Sequence, residues 1–235
     1  TPFDVVEFFK GPPPAQNAAP LYLEALSEFG SEVSLCFWPQ GKVPREEAER
    51  LMKVFQKRDG EFFRFEEAWE NDPKSVNNSA IDAWLAEYET GFEKLIVAQK
   101  RAECVFETGI GFTTLLPHVQ AARQLVRVVK WRTRRDLQRG DYERPIRDIE
   151  ITLRLSRDLQ RRGGMVCQLV SVAMDNICCQ EIVTPFVHAN GTEKEHCNRL
   201  LVMLDRHEAE SNRRFAEAIR AEYVMARKTL HDFQH

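Results

Sequence analysis

The sequence predicts an all-α protein of stacked antiparallel helical hairpins, packed as an irregular helical bundle or a short right-handed superhelix. Three observations carry this. Apolar residues recur at three- and four-residue intervals along most of the chain, which gathers them on one face of a helix. Glycine turns at Gly140 and at Gly163-Gly164 punctuate the most regular stretch, and no segment shows the strict apolar/polar alternation of a strand.

That stretch runs from Leu116 to Val187 and reads as three helices. Pro117 suits a first turn, where its missing N–H would have been unpaired anyway. Val119, Ala122, Leu125, Val126 and Val129 form one apolar arc, and Arg123, Arg127, Lys130 and Arg134 share the face beside it. Gly140 reads as the left-handed residue that ends the helix, and Asp141 as the cap of the next, so the two helices pack antiparallel. The second helix, about Tyr142 to Arg161, has Ile146, Ile149 and Leu153 on one side and Ile151, Leu155 and Leu159 on another, and so must be covered twice. Its polar strip is Arg147, Glu150, Arg154 and Asp158, with Glu150 spaced to pair with Arg154. The third helix, Met165 to about Thr184, is apolar nearly all round and is expected at the centre of the core. Its one coherent polar stripe is Gln168, Ser171 and Asp175.

Upstream, Val5, Val6, Phe8 and Phe9 make a short helix before the stiff connector Gly11-Pro12-Pro13-Pro14. Asn17 is placed to cap a helix with Pro20 in its first turn, ending at Gly30. Loop chemistry follows through Trp38-Pro39-Gln40-Gly41. Pro44 opens a helix through Phe55 that Asp59-Gly60 is expected to close, and Phe62, Phe63, Phe65 and Trp69 form an aromatic packet that plugs helix junctions. Ser79 is expected to cap one long helix from Ile81 to Ala98. Cys104 to Thr114, with Gly109 and Gly111, is a loop; no strand precedes it, so it is not a phosphate cradle. Downstream, Asn190-Gly191 is a turn and Thr192 with Glu195 a capping box. A helix carrying Leu200, Leu201, Met203 and Leu204 follows, then another from Ser211 to Leu230 with Phe215, Ala218, Ile219, Tyr223 and Met225.

With 235 residues, 43% of them hydrophobic, the chain can bury a real core. It reads as a single helical domain in which 1–112 form an acidic, aromatic-rich half and 113–235 the central and C-terminal helices. The net charge of -3 hides a segregation. Arg123 to Arg162 holds 13 basic against 6 acidic residues, and Asp59 to Glu93 holds 10 acidic against 2 basic. Such stretches are either solvated faces or two halves that attract each other. An acidic chain with no aromatic stacking ladder does not fit a nucleic acid. Arg123, Arg127, Lys130 and Arg134 are therefore the candidate partner-binding face, meeting either the acidic half of this or a second copy, or an acidic protein partner.

Chemistry-bearing patterns are sparse. Cys36, Cys104, Cys167, Cys178, Cys179 and Cys197 show no CxxC and no zinc spacing, and read as small buried hydrophobes. Glu193-x-x-His196 has the spacing used by di-iron bundles, but without a second copy it reads as a first-turn acid. His231 and His235 are four apart at the terminus. Glu208, Glu210, Glu217 and Glu222, interleaved with Arg213, Arg214 and Arg220, read as a solvated, ion-paired face. No nucleophile elbow, P-loop, dinucleotide fingerprint or zinc-protease motif occurs, so no catalytic residue, cofactor or metal is expected. Gln168, Ser171 and Asp175 are the pocket candidates, since polar groups on a buried helix require partners. No run is apolar enough to span a bilayer on this reading.

Two resemblances add to this. Gly140-Asp141-Tyr142-Glu143-Arg144-Pro145-Ile146 with its flanking helices resembles the inter-helix turn of a tetratricopeptide repeat, with Pro145 at an alanine position and Arg132-Thr133 in place of Leu-Gly. Asn17-Ala18-Ala19 with Leu21-Tyr22, Leu116-Pro117-His118 with Arg123-Gln124-Leu125, Gly140-Asp141, Gln168-Leu169-Val170 and Ala221-Glu222 resemble a group of uncharacterised helical proteins of planctomycete bacteria. That resemblance implies an apolar anchor ahead of Thr1, hence membrane contact only through a segment outside this chain, and a place in the cell envelope. It implies no activity. The expected function is a non-catalytic protein-interaction or scaffold module with a protein partner or a second copy. The alternative is a small-molecule binder or enzyme with a pocket near Asp175.

Overall fold

Helices take up most of the described chain because the apolar spacing gives most of them one face to bury against a neighbour. The computed structural model describes residues 3–30, 33, 43–106 and 116–232, with the side chains of 212, 229, 231 and 232 outside the description. The helices are α1 (Val5–Phe9), α2 (Ala19–Leu26), α3 (Arg45–Asn71), α4 (Asn78–Ala86), α5 (Glu89–Ala98), α6 (Pro117–Arg139), α7 (Glu143–Gln160), α8 (Met165–Cys178), α9 (Thr184–Val187) and α10 (Lys194–Asp232). A single π turn, Cys179–Val183, joins α8 to α9. Its cause is Pro185, which has no N–H to give to Glu181, so the ladder slips one residue and Thr184 bonds to the Cys179 carbonyl instead. No strand occurs among the described residues, only an isolated bridge between Asn17 and Glu103. The all-α class stands.

The core is centred on α6, which touches α2, α4, α7 and α8. Its whole apolar arc is buried, and so are Val128 and Trp131 on its other side. Trp131 is met edge-on by Phe65 and Trp69 of α3, and Phe65 in turn meets Trp84 of α4. The aromatic packet therefore does plug a helix junction, except for Phe63, which is exposed. Gly140 has φ of +75° and Asp141 caps α7 through the N–H groups of Glu143 and Arg144, as expected. Both apolar sides of α7 are covered, but Arg154 turns to Asp158 and to the Arg101 carbonyl rather than to Glu150.

Several expected boundaries move. Gly60 lies inside α3, which runs on for 27 residues. The helix expected from Ser79 to Ala98 is two, with Asn77, not Ser79, capping the first through Ala80 N–H. Asn17 caps and also clamps: its Oδ1 accepts from Ala19 and Val105, and its Nδ2 donates to the Val105 carbonyl. The turn after α7 places Arg162, not a glycine, in the left-handed region. Gly163 is required there for another reason, since a Cβ on it would come within 2.7 Å of Leu159 O and Cys167 Cβ. The two helices expected after Asn190 are one, α10, of 39 residues and about 58 Å long at 1.5 Å per residue.

The largest correction concerns α8. It packs on α6, α7 and α10, yet Val166, Leu169 and Val172 are 53, 62 and 53% exposed. It is a side helix of the core and not its centre. Met165–Val187 is also, by length and composition, apolar enough to cross a bilayer, with mean hydropathy 1.2, which the sequence reading did not recognise.

Candidate functional site

The polar stripe of α8 faces inward, where polar groups need partners, and finds them on α7 and α10. Ser171 Oγ donates to the Ser156 carbonyl at 3.0 Å and Ser156 Oγ to the Ser171 carbonyl at 3.4 Å. Asp175 Oδ2 lies 2.9 Å from His207 Nε2, and His207 Nδ1 lies 3.3 Å from Arg157 Nη1. Arg157 is held in turn by Glu210 at 2.9 Å. Gln168 is buried beside this set with its Oε1 unbonded, as is Asp175 Oδ1.

This network fixes a tautomer. A guanidinium can only donate, so His207 Nδ1 accepts from Arg157 and Nε2 carries the proton that goes to Asp175. Ser211 Oγ also lies on Nε2, at 3.4 Å. Asp, His and Ser are thus all present, but a proton relay needs the acid on one ring nitrogen and the nucleophile on the other. Here both fall on the same one, and the arrangement ties three helices together. His207, Arg157 and Glu210 were missed by the sequence reading, because a lone histidine and two residues of charged strips carry no spacing signal.

The four residues of the α6 basic face divide into two pairs. Lys130 lies 2.6 Å from Glu66 of α3 and 3.0 Å from Glu181 of the π turn. Arg134 reaches the same two acids at 3.5 Å and stacks on Trp69 and Trp131. Further along, Arg132 meets Glu89 and Asp148, and Arg135 meets Asp82. The basic and acidic halves are joined by these ion pairs within one chain. Arg123 and Arg127 are left with long bonds to Gln120 and Gln124, and Arg127 lies over Phe62.

The outer side of α8 and α10 is the converse of the polar network. Ser171–Ser156 and Arg157–Glu210 put α7 on one flank of both helices. Steps of 100° per residue then place Val166, Leu169 and Val172 on the flank of α8 away from α7. The same count places Phe215 and Ile219, 52 and 49% exposed, on the flank of α10 away from α7. The two helices run antiparallel, with Glu222 beside Met165 and His207 beside Asp175, so the two stripes line one open face. The acids of α10 do not all face solvent: Glu217 accepts from Arg162 N–H at 2.9 Å and Glu222 from Met165 N–H at 2.6 Å. Among the described side chains of α10 from residue 205 onward the exposed charges are Asp205, Arg206, Glu208, Arg213, Arg220, Arg227 and Lys228, and Glu208 shares the stripe of Phe215 and Ile219.

Glu193 and His196 meet as a cap. Glu193 N–H donates to His196 Nδ1 at 3.1 Å, while Thr192 Oγ1 donates to the Phe186 carbonyl, so the capping box is displaced by one residue with histidine as its acceptor. His196 Nε2 lies 3.5 Å from Glu143. No group of three His, Cys, Asp or Glu capable of holding a metal occurs among the described residues. Cys104, Cys167, Cys178, Cys179 and Cys197 are free thiols, and burial pushes that of Cys167 up to about 11. Cys36, Gly109, Gly111, the Trp38 to Gly41 loop and the side chains of His231 and His235 lie outside the described residues. Comparison with protein families, with curated proteins and with solved structures finds no match.

Proposed function

We propose that the protein is a non-catalytic helical interaction module that docks an amphipathic segment of a protein partner on the open face of α8 and α10. The observation that carries this is the inversion of α8. A helix apolar nearly all round turns its polar stripe into the protein and leaves Val166, Leu169 and Val172 outside, on the same open side as Phe215 and Ile219. Exposed apolar faces of this kind mark interaction surfaces. A place in the cell envelope belongs to the same proposal and rests on the resemblance alone. The alternative, an enzyme or small-molecule binder near Asp175, has less support, because His207 there has no nitrogen free to act as a base.

The experiment is co-purification and sizing of native protein and of Leu169→Lys/Phe215→Glu. The native protein retains a partner that the double substitution releases, with an unchanged unfolding midpoint. A partner retained equally by the folded double variant overturns the reading.

A further inference from the structure

A second surface feature lies on the opposite half of the molecule, where α3 crosses the first turns of α6. A cleft of about 180 Å³ is lined there by Phe29, Phe55, Asp59, Gln120, Gln124 and Arg127, among others. Its floor is apolar, because Phe29 and Phe55 are buried beneath it. Its back is closed by Gly30, which lies so near α6 that a Cβ would come within 3.0 Å of Ala121 Cβ.

Its walls carry opposite charges that do not meet. The inter-helix cations Arg58, Lys94, Lys130, Arg132, Arg134 and Arg135 of this half each have a carboxylate within 4.0 Å. Asp59 and Arg127 do not. They sense each other electrostatically, and partial burial holds Asp59 above the usual carboxylate range while Arg127 acts the other way. Among the described residues Asp59 has no hydrogen bond or ion pair, and Arg127 has one bond, to Gln124 Oε1 at 3.4 Å. Gln124 Nε2 is buried and turned toward the Tyr88 hydroxyl. The cleft thus offers an acceptor on one wall, a guanidinium on the other, and aromatic surface below.

We infer that this cleft binds a small zwitterion of the amino-acid class, its carboxylate on Arg127, its ammonium on Asp59 and a short apolar side chain on Phe29 and Phe55. The volume sets the size limit, since drug-sized ligands occupy clefts of roughly 300 Å³ or more. Both charges are needed, because a ligand with one of them leaves the opposing group partly desolvated and unpaired.

The test is calorimetric titration of the native protein with L-leucine, and with isovalerate and isopentylamine as its two half-ligands. Leucine binds in the millimolar range, and each half-ligand at least about tenfold more weakly. Asp59→Asn and Arg127→Gln each lose about tenfold in leucine affinity, and Arg127→Lys recovers part of it. All three lie on exposed or half-exposed sites, and circular dichroism establishes that each variant is folded. Absence of heat with leucine at millimolar concentration, isovalerate binding as tightly as leucine, or leucine binding unchanged in folded Asp59→Asn would overturn the inference.

Discussion

The Glu222 carboxylate caps the N-terminus of α8 from another helix, accepting the Met165 N–H across 57 residues of sequence. It does so because residue 164, the N-cap of α8, is a glycine with no side chain to offer. A Cβ at Gly164 would come within 2.9 Å of that carboxylate oxygen and 2.8 Å of Met225 Cε. Loss of an N-cap acceptor costs about 1 to 2 kcal/mol. Glu222→Ala is therefore expected to lower the unfolding free energy by about that much, and Glu222→Gln, which keeps an acceptor without the charge, by about half. Urea unfolding followed by circular dichroism measures both. An unchanged midpoint in Glu222→Ala would remove the cap from the account.

Three glycines give three different outcomes. Gly140 sits at φ of +75° with nothing within 4 Å of an added Cβ, so Gly140→Val tests backbone strain alone and should cost about 1 kcal/mol or more. Gly60 lies within α3, also in open space and without a positive φ, so Gly60→Ala should stabilise by up to about 1 kcal/mol. Gly91 has ordinary helical backbone, but a Cβ there would come within 2.5 Å of the Phe29 ring, and Gly91→Ala should destabilise by forcing that ring out of its stack with Tyr88. The ranking of the thermal midpoints, Gly60→Ala above native and the other two below, is the check.

Local rules made α6, its glycine cap and the Asp141 cap legible, because those signals lie within a few residues of what they determine. The boundaries that moved had no such signal. Nothing at Glu87-Tyr88 breaks a helix, although α4 and α5 part there, and Gly60 is tolerated within α3 because its neighbours keep the helical period. Between Leu204 and Phe215 the face that α10 turns inward carries His207, Ser211 and Arg214 in place of apolar residues, so the apolar period lapses while the helix continues. The orientation of α8 was beyond reach for a different reason. Apolar residues on every side fix that a helix exists but not which side is buried, and here Asp175 and Ser171 turned inward to partners on α7 and α10 that lie up to 32 residues away. The same limit hid the Asp59 cleft, which exists only where α3 crosses α6.

Lys130 carries the junction between the halves. Its ammonium is nearly buried between Glu66 and Glu181, and breaking a buried pair by removing one partner costs about 3 to 5 kcal/mol. Lys130→Met is expected toward the low end, because Glu181 can rehydrate at its exposed edge. Adding Glu66→Leu should recover much of the loss, as the desolvated acid is then gone. Arg134→Glu places a third acid beside Glu66 and Glu181 and should destabilise the fold. A loss of partner binding in that variant would therefore carry no information about a docking face. Denaturant unfolding of the two singles and the double gives the coupling energy, and additive effects would show that the pair contributes nothing.

The dependence on pH should come from two buried groups that oppose each other. His118 is buried against Phe106 with both ring nitrogens unbonded, and burial lowers its pKa to about 4. Asp148 is buried on α7, where burial raises its pKa to about 7 although Arg132 acts against the shift. For His118 the unfolded chain, at about 6.5, binds the proton first, so stability is lost as pH falls from about 6.5 to 4. For Asp148 the folded chain binds the proton first, so stability is gained as pH falls from about 7 to 3.8. Each slope approaches about 1.4 kcal/mol per pH unit within its window, and between about pH 4 and 6.5 the two cancel. His118→Phe should therefore gain stability relative to native as pH falls across that window, and Asp148→Asn should lose it. Difference curves against native protein remove the other titrating groups, which both proteins share. Unfolding free energies from pH 4 to 8 supply the curves, and parallel profiles for native and His118→Phe would show that this histidine is not held neutral in the folded chain.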